Sequence, residues 1–381
     1  MSFLCLCHRR SLGAWLQPFD VTITQTHPGF KEIRSAVNPS RRARSTLLGV
    51  TLFVISASLY IAAFVMVAML PQWWMKIIAM VFVAGMIPAL FVIGHDACHQ
   101  SLTPRGWLNR LLGRLSFLPS LHVYSAWEYG HNGLHHGWTN LSGKDPVWAP
   151  FTKENFDRLP RRRQILERIY RTPLGVGLHY LLEMWIGFGI TRRHARVPGS
   201  RFPRFFFDRL LIILFIPFQA AVLILLSNYP ENSTLPALAH HSILISMGIL
   251  LPFVYWNWFM GFVIFQHHTH PRVAWFDDEK EWTFYSAQVK GVVHVQFPWI
   301  VEKIFHNIFD HTAHHVDTSV PLYNLPDAQR DLESTFSDDV VIARWTYRDL
   351  LNTCRTCQLY DYRNHQWLDF QGRPTSETLR R

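Results

Sequence analysis

Three clusters of histidines carry the strongest chemical signal in this sequence. They read GHDACH at 94–99, HNGLHH at 131–136 and HTAHH at 311–315, in a chain of 381 residues with 21 histidines. Residues three or four apart share a helix face, so each cluster can direct two or more imidazoles at one point. His136 falls off that stripe, so the second cluster must bend near Gly133 or Gly137. The pattern predicts metal ligands at His95, His99, His131, His135, His136, His311, His314 and His315.

A shared metal site competes with simple structural packing of these histidines. Imidazoles buried together without partners cost free energy, which a metal centre would offset. Tetrahedral zinc takes only four ligands, so the number of histidines predicts two ions. Imidazole binds iron, copper, zinc and nickel, and the ligand type therefore leaves the metal open.

Four long apolar stretches must position these clusters. They are free of charged side chains and cover 47–70, 77–94, 210–226 and 242–265, and the whole chain is 49% hydrophobic but only 17% charged. Soluble proteins contain about 25% charged residues, and a stretch of this length can cross a bilayer. The sequence therefore predicts an all-α polytopic membrane protein with four transmembrane helices in two hairpins. Helices at 107–121 and 174–190 are expected to lie in the interface, and a cytoplasmic helical cap is expected to hold the histidines.

Two other classes fit this pattern less well. Four buried helices in a large soluble core would not need to be paired as two hairpins. A histidine-lined metal transporter would need imidazoles inside the spans, and the four apolar stretches contain none.

Basic residues predict the orientation. Twelve arginines fall within 158–209, whereas the short connection after the first stretch has only Lys76 and the 227–241 loop has no Lys or Arg. The positive-inside rule then places the N-terminus, 95–209 and 266–381 on the cytoplasmic side, in a bacterial inner membrane. The net charge of +10 is interpreted as attraction to anionic lipid headgroups, not to nucleic acid. We divide the chain into an N-terminal cytoplasmic tail (1–44), a catalytic membrane domain (45–330) and a C-terminal cytoplasmic extension (331–381).

Together, the three clusters resemble the histidine boxes of the integral-membrane fatty acid desaturases, and the likeness covers about residues 45–330. The stretches HHTHPRVAWF (267–276), EKEWTF (279–284) and HTAHHVDTSVPLYNLPDA (311–328) resemble the acyl-lipid omega-6 (delta-12) branch. The second box has three residues between its first two histidines, where many plant-type omega-6 members have two. The resemblance implies two iron ions (Fe2+/Fe3+), O2 as co-substrate and a cis double bond inserted into a fatty acyl chain. A related hydroxylase acting on a lipid, carotenoid or alkane is the alternative.

The resemblance also implies a ligand outside the boxes, at the end of the fourth span. His268 and His270 are equal candidates for it. Buried acceptors usually hold the free N–H of ligating histidines, and the candidates beside the boxes are Asp96, Asp145, Asp310 and Asp317. His294 and His306 are weaker candidates. The remaining histidines are expected to be ordinary surface or interfacial residues: His8, His27, His122, His179, His194, His240, His241 and His365.

Substrate and reductant must both come from outside. An acyl chain needs an apolar tunnel near the boxes, for which Trp127, Trp138 and Trp148 are candidate lining residues. No G-x-G-x-x-G motif follows a strand, so no nicotinamide or flavin domain is expected. An external carrier, ferredoxin or cytochrome b5-like, is implied, and the arginine-rich 158–209 segment could bind it. The single CxxC at 354–357 is interpreted as an incidental reduced pair.

Overall fold

The computed structural model describes residues 28–190, 202–229 and 235–379. Within these ranges the chain is predominantly helical, as predicted, with two very small β-sheets added. The helices are α1 Phe30–Ser35, α2 Thr46–Met69, α3 Trp73–Cys98, α4 Gly106–Phe117, α5 Tyr124–Trp127, α6 Lys153–Asp157, α7 Arg161–Tyr170, α8 Gly175–His179, α9 Phe202–Leu225, α10 Ala237–Ile245, α11 Leu251–His268, α12 Trp299–Ile304, α13 His311–Val316, α14 Leu325–Thr335 and α15 Tyr347–Thr356. The strands are β1 Val293–Gln296, β2 Val341–Arg344, β3 Leu359–Asp361 and β4 Gln366–Leu368.

Several helices continue into wider π-helical turns. Such segments follow α5 (Glu128–His135), α8 (Tyr180–Ile190) and α10 (Ser246–Leu250), and another covers Tyr285–Val289. The π-helix is rare and concentrates at functional sites.

Four helices are long and apolar enough to cross a membrane, as predicted. They are Thr46–Met69, Trp73–Cys98, Arg204–Leu225 and Ala237–His268, the last being a 32-residue rod of α10, its π-turn and α11. The second helix continues to Cys98, past the predicted end at 94. It therefore carries the first histidine box as its own last turn.

Lys76, the one basic residue between the first two apolar stretches, lies in the first turn of α3 and caps the end of α2. Lys76 is 2% exposed, and its Nζ donates to the carbonyl oxygens of Val67 and Ala68 at 2.9 and 2.7 Å. These oxygens lie in the last turn of α2, where backbone acceptors lack partners within the helix. The charge expected in an exposed connection is thus buried as a helix cap.

The two helices predicted to lie in the interface are anchored on the spans in different ways. α4 exposes Trp107, Leu111 and Leu115 along one side, as an interfacial helix requires. α8 packs directly on α11, where a Cβ added at Gly261 would overlap the carbonyl oxygen of Val176. Small residues permit such close approach of helices within membranes.

The cap forms from both ends of the chain. Arg34 and Arg42 each lie 2.6 Å from the Asp317 carboxylate, just after α13. β1 pairs in parallel with β2, which joins the 331–381 segment to the body of the cap. The domain boundary at 330 stays a prediction, and α14 crosses that position.

Candidate metal centre

Four elements bring the box histidines to one place. α3 contributes His95 and, at its end, His99; α13 carries the third box; and α11 ends at His268. The second box lies in the π-helical segment after α5, where the backbone N–H of His136 donates to the carbonyl of His131 at 3.0 Å. This i to i+5 bond brings His136 onto the same side as His131. The bend expected at the glycines is therefore a π-turn.

The structure gathers the histidines in two adjoining groups, each with its ligand atoms within 4.8 Å of one another. Nine of the ten predicted ligands belong to these groups. The five-histidine group is His95, His99, His131, His136 and His314. The four-histidine group is His135, His268, His311 and His315.

The ring nitrogens within each group lie within hydrogen-bond distance of one another. His95 Nε2 lies 2.7 Å from His131 Nε2, and His136 Nε2 lies 3.1 Å from the Nε2 atoms of both His131 and His314. In the other group, His311 Nε2 is 3.3 Å from His268 Nε2 and 3.1 Å from His315 Nε2. A neutral imidazole has one donor and one acceptor nitrogen, so such a cluster cannot satisfy every nitrogen internally.

Burial keeps these imidazoles neutral. It lowers the pKa values of His131, His136, His311, His314 and His315 well below the usual range, and neighbouring histidines lower them further. His99 Nε2 is buried inside its group without a hydrogen-bond partner. Neutral, converging lone pairs with an unsatisfied nitrogen among them are the donor set that a transition-metal ion requires. The residues present therefore fit two metal ions.

Two buried acceptors hold the four-histidine group from outside. His135 Nδ1 lies 3.0 Å from Asp145 Oδ1, and Asp145 also accepts the backbone N–H groups of Asn140 and Val147. His315 Nδ1 lies 2.8 Å from Gln288 Oε1, while Gln288 Nε2 donates to the His136 carbonyl at 2.9 Å. Gln288 thus ties the second box to the third. Sequence reasoning missed it because a single glutamine, 27 residues from its partner, shows no pattern.

The other three aspartates do not bond to the clustered histidines. Asp96 accepts from the Ser101 hydroxyl at 2.8 Å, because α3 turns at that point and buries the carboxylate against the following loop. Asp310 lies 3.3 Å from His294 Nε2. Asp317 is held by the two arginines of the N-terminal segment. Of the four candidates, the structure gives only Asp145 the expected contact.

The structure distinguishes between His268 and His270, the two candidate ligands at the end of the fourth span. His268 joins the four-histidine group, and His267 stacks on His311 with ring centroids 3.8 Å apart. His270 lies outside both groups, and its Nδ1 accepts the backbone N–H of Arg272 at 3.1 Å. The helix ends at His268, so the next two residues turn His270 away from the metal groups. The geometry favours His268.

The weaker candidates have other partners. His294 Nδ1 lies 2.5 Å from Glu333, and His306 Nε2 lies 3.3 Å from Ser56 Oγ in α2. Neither residue contributes to the two metal groups.

Several histidines expected at the surface are buried instead. His122 contacts the Tyr180 hydroxyl at 2.7 Å, His179 stacks on Trp148 with centroids 4.1 Å apart, and His365 lies 3.1 Å from the Trp275 carbonyl. His240 is also buried, 3.1 Å from Ser227 Oγ. The surface expectation was wrong for these four, because an isolated histidine gives no periodic signal of the aromatic or polar partner that awaits it. His241 is half-buried, and His8, His27 and His194 lie outside the described residues.

An apolar cavity of about 70 Å³ adjoins the two histidine groups. His131 and His135 form one wall, and Trp127, Met184 and Trp185 are among the others. Of the three candidate tunnel tryptophans, only Trp127 lines it. Trp148 packs under His179, and Trp138 packs against Trp282 instead. The cavity's apolar lining suits a hydrocarbon chain.

Comparisons with known proteins agree with this site. A family model for fatty acid desaturases matches residues 71–348. An sn-1 oleoyl-lipid 12-desaturase of Picosynechococcus is 25% identical over 365 residues, which is 93% of this chain and 97% of that protein. A chloroplastic omega-6 fatty acid desaturase of Glycine max is 27% identical over 315 residues, covering 81% of this chain and 68% of that protein.

A third relative, the sn-1 oleoyl-lipid 12-desaturase of Anabaena variabilis, is 27% identical over 299 residues, covering 76% of this chain and 77% of that protein. These similarities confirm the resemblance to the omega-6 (delta-12) acyl-lipid branch. The chain belongs to the fatty acid desaturase family, and it is a membrane oxidoreductase that introduces a double bond into fatty acyl chains.

Proposed function

We propose that this protein is a di-iron desaturase that places a cis double bond at the delta-12 position of a lipid-linked oleoyl chain. The observation that carries the proposal is the pair of converging histidine groups at the wall of an apolar cavity. The names of its relatives, oleoyl-lipid 12-desaturases and omega-6 desaturases, support the position and the lipid carrier.

The reaction needs a cofactor because a saturated methylene has neither an acidic proton nor a leaving group. Two iron ions would supply O2 activation, with two hydrogens taken from the chain and two electrons and two protons from outside, so that O2 leaves as two waters. The five-histidine group would hold one ion and the four-histidine group the other. The protein's own part is to keep the ligands neutral, hold their orientation and place the chain.

Two polar groups of the cavity walls are already paired with the protein. The Tyr180 hydroxyl contacts His122 Nε2, and Trp185 Nε1 donates to the Leu121 carbonyl at 3.0 Å. Both bonds join the π-helical segment after α8 to the loop before α5. Because these donors and acceptors satisfy one another, the acyl chain meets an apolar surface that excludes water.

We further propose that the metal centre faces the cytoplasm and receives electrons from a ferredoxin or cytochrome b5-like carrier. The basic asymmetry of the sequence supports this side. In the described part of the 158–209 segment, Arg158, Arg161, Arg162 and Arg168 are exposed around α7 and offer a positive surface to an acidic carrier. Exposed Ile165 and Ile169 on the same helix favour contact with anionic lipid as well.

The proposed function predicts a specific product. Membranes of a bacterial host that makes no dienoic acids, supplied with oleate and expressing this chain, should accumulate a 9,12-diene in their glycerolipids. Gas chromatography with mass-spectrometric location of the double bonds measures this, and the His314→Ala variant is the inactive control. A new double bond elsewhere would overturn the delta-12 assignment, and a hydroxylated chain would favour the hydroxylase.

Asp145 offers a second prediction, since it orients His135 from outside the metal group. The carboxylate of Asp145 now accepts hydrogen bonds with both oxygens. In Asp145→Asn one of these oxygens is replaced by an NH2 group, which faces a donor and cannot accept its hydrogen bond. Loss of such a partner typically costs about 10- to 100-fold in metal affinity or activity. We expect that loss in iron retained on dialysis and in product formed.

The matched control for that variant is Asp96→Asn. Asp96 is equally buried and hydrogen-bonded but contacts no histidine of either group, so both readouts should stay within about 3-fold of the parent. Equal losses in the two variants would mean that Asp145 acts only through folding.

A further inference from the structure

The short helix α12 exposes an apolar face that its place in the cap does not explain. Trp299, Ile300 and Ile304 are 72%, 49% and 40% exposed. Three large apolar side chains projecting together from six residues would be costly in water and mark a contact surface. Within the described part of the chain, no other element covers them.

The turn that follows α12 touches two membrane spans well below their ends. His306 Nε2 lies 3.3 Å from Ser56 Oγ of α2, and the Phe305 ring lies 4.7 Å from that of Phe259 in α11. At 1.5 Å per residue, Ser56 is about 15 Å along α2 from Thr46. Phe259 is about 14 Å before the end of α11 at His268.

The lipid-facing surface of α2 begins above that level. Leu47 and Leu48, at its first turn, are 77% and 48% exposed. Apolar side chains exposed at the top of a membrane span mark where hydrocarbon begins. The turn that ends α12 therefore lies at the level of the lipid-facing part of α2.

The backbone after α12 is satisfied internally, as a segment in lipid requires. His306 and Asn307 adopt left-handed conformations, with φ of 51° and 60°, and reverse the chain. The N–H of Asn307 donates to the Glu302 carbonyl at 2.8 Å, and its Nδ2 donates to the Leu322 carbonyl at 3.1 Å. Lys303 Nζ donates to Asn307 Oδ1 at 3.0 Å, so its charge is also partnered.

We propose that Trp299–Ile304 is a membrane-inserted wedge whose apolar face lies among the lipid acyl chains on the cap side. The wedge ends seven residues before His311, so it holds the third histidine box at a set depth relative to the spans. This proposal concerns how the cap sits in the bilayer and does not depend on the position of the double bond.

Site-directed spin labelling tests the wedge. Cys98, Cys354 and Cys357 are buried, so only Cys5 and Cys7 need replacing by serine to give a background that should not react. Into it go Ile300→Cys, Ile61→Cys on the exposed face of α2, and Asp338→Cys on the exposed surface of the cap. The labelled full-length proteins are reconstituted in phosphatidylcholine–phosphatidylglycerol vesicles. For each spin label, the rate of collision with O2, which concentrates in lipid, is compared with the rate of collision with a water-soluble nickel chelate.

The label at 300 should favour O2 over the nickel chelate, as the label at 61 does and the label at 338 does not. A label at 300 that behaves like the one at 338 would place α12 in water and overturn the proposal. Shielding from both agents would mean that protein, such as a second copy of the chain, covers the face, and this also overturns it. Because all three labels are read in folded, monodisperse protein, a failure of folding cannot imitate any of these results.

Discussion

His268→Ala will abolish desaturation, whereas His270→Ala, two residues further along, will leave it largely intact. His268 Nε2 lies 3.3 Å from His311 Nε2 inside the four-histidine group, and its removal leaves that group three ligands. Loss of an outer partner costs about 10- to 100-fold, so loss of a ligand itself should exceed about 100-fold. His270 is an apt control because it too is mostly buried, and burial lowers its pKa to about 4.

Bound metal distinguishes a lost ligand from a damaged fold. Purified protein should hold about two irons per chain in the parent and in His270→Ala, and about one in His268→Ala. Colorimetric iron assay and chromatographic profile are measured on the same samples. Equal product from both variants, or equal loss in both, would refute the assignment of His268. An iron content near one in the parent would refute the two-ion site.

Gly261→Ala will strongly destabilise the protein, although it adds a single methyl group. A Cβ at Gly261 would overlap the backbone carbonyl of Val176, and one at Gly177 would overlap the Cα of Trp258. Backbone cannot move aside as a side chain can, so α8 must separate from α11. Overpacking usually costs about 1 to 3 kcal/mol, and we expect about 3 kcal/mol or more here. The π-helical segment after α8 lines the acyl cavity, so product should fall with stability.

The control for this substitution is Gly85→Ala in the middle of α3. A Cβ there meets no atom within 4 Å, and alanine favours helix. The apparent Tm in detergent, read from the monodisperse fraction after heating, should fall sharply for Gly261→Ala and stay level or rise for Gly85→Ala. If both variants keep the parental Tm, the close packing of α8 on α11 is not what holds the cavity wall.

Local pattern was sufficient for much of this architecture. The four spans are visible because a bilayer requires long uncharged stretches, and their positions in the sequence agree with the helices to within a few residues at most ends. The largest shifts are at the starts of the third and fourth spans, which begin at 204 and 237 instead of 210 and 242. The four-residue shift at the end of α3 arises because His95, Asp96 and His99 look like a polar loop in the sequence. In the structure His95 and Asp96 stay helical and His99 follows as the C-cap. His131 contacts the His95 ring, and the Ser101 hydroxyl donates to Asp96.

The division of the histidines between two groups could not be predicted in the same way. His135 and His136 are adjacent in sequence, yet they belong to different groups, because the i to i+5 bond of the π-turn aligns His136 with His131 and not His135. Gln288 and Asp145 show the same limit. In the sequence, nothing distinguishes either residue from other polar residues. Only the folded structure shows that each is buried against a histidine ring nitrogen.

The eight box histidines, the spans that carry them and the family to which they belong can all be recognised in the linear sequence. Residue type and periodicity are local properties, so they can be read directly from the sequence. Three features required the folded molecule: His268 and not His270 joins the histidine groups, a single aspartate of four contacts a clustered histidine, and the turn after α12 contacts two spans. Each of these features depends on which distant segments of the chain come into contact, and the packing of the whole molecule determines those contacts.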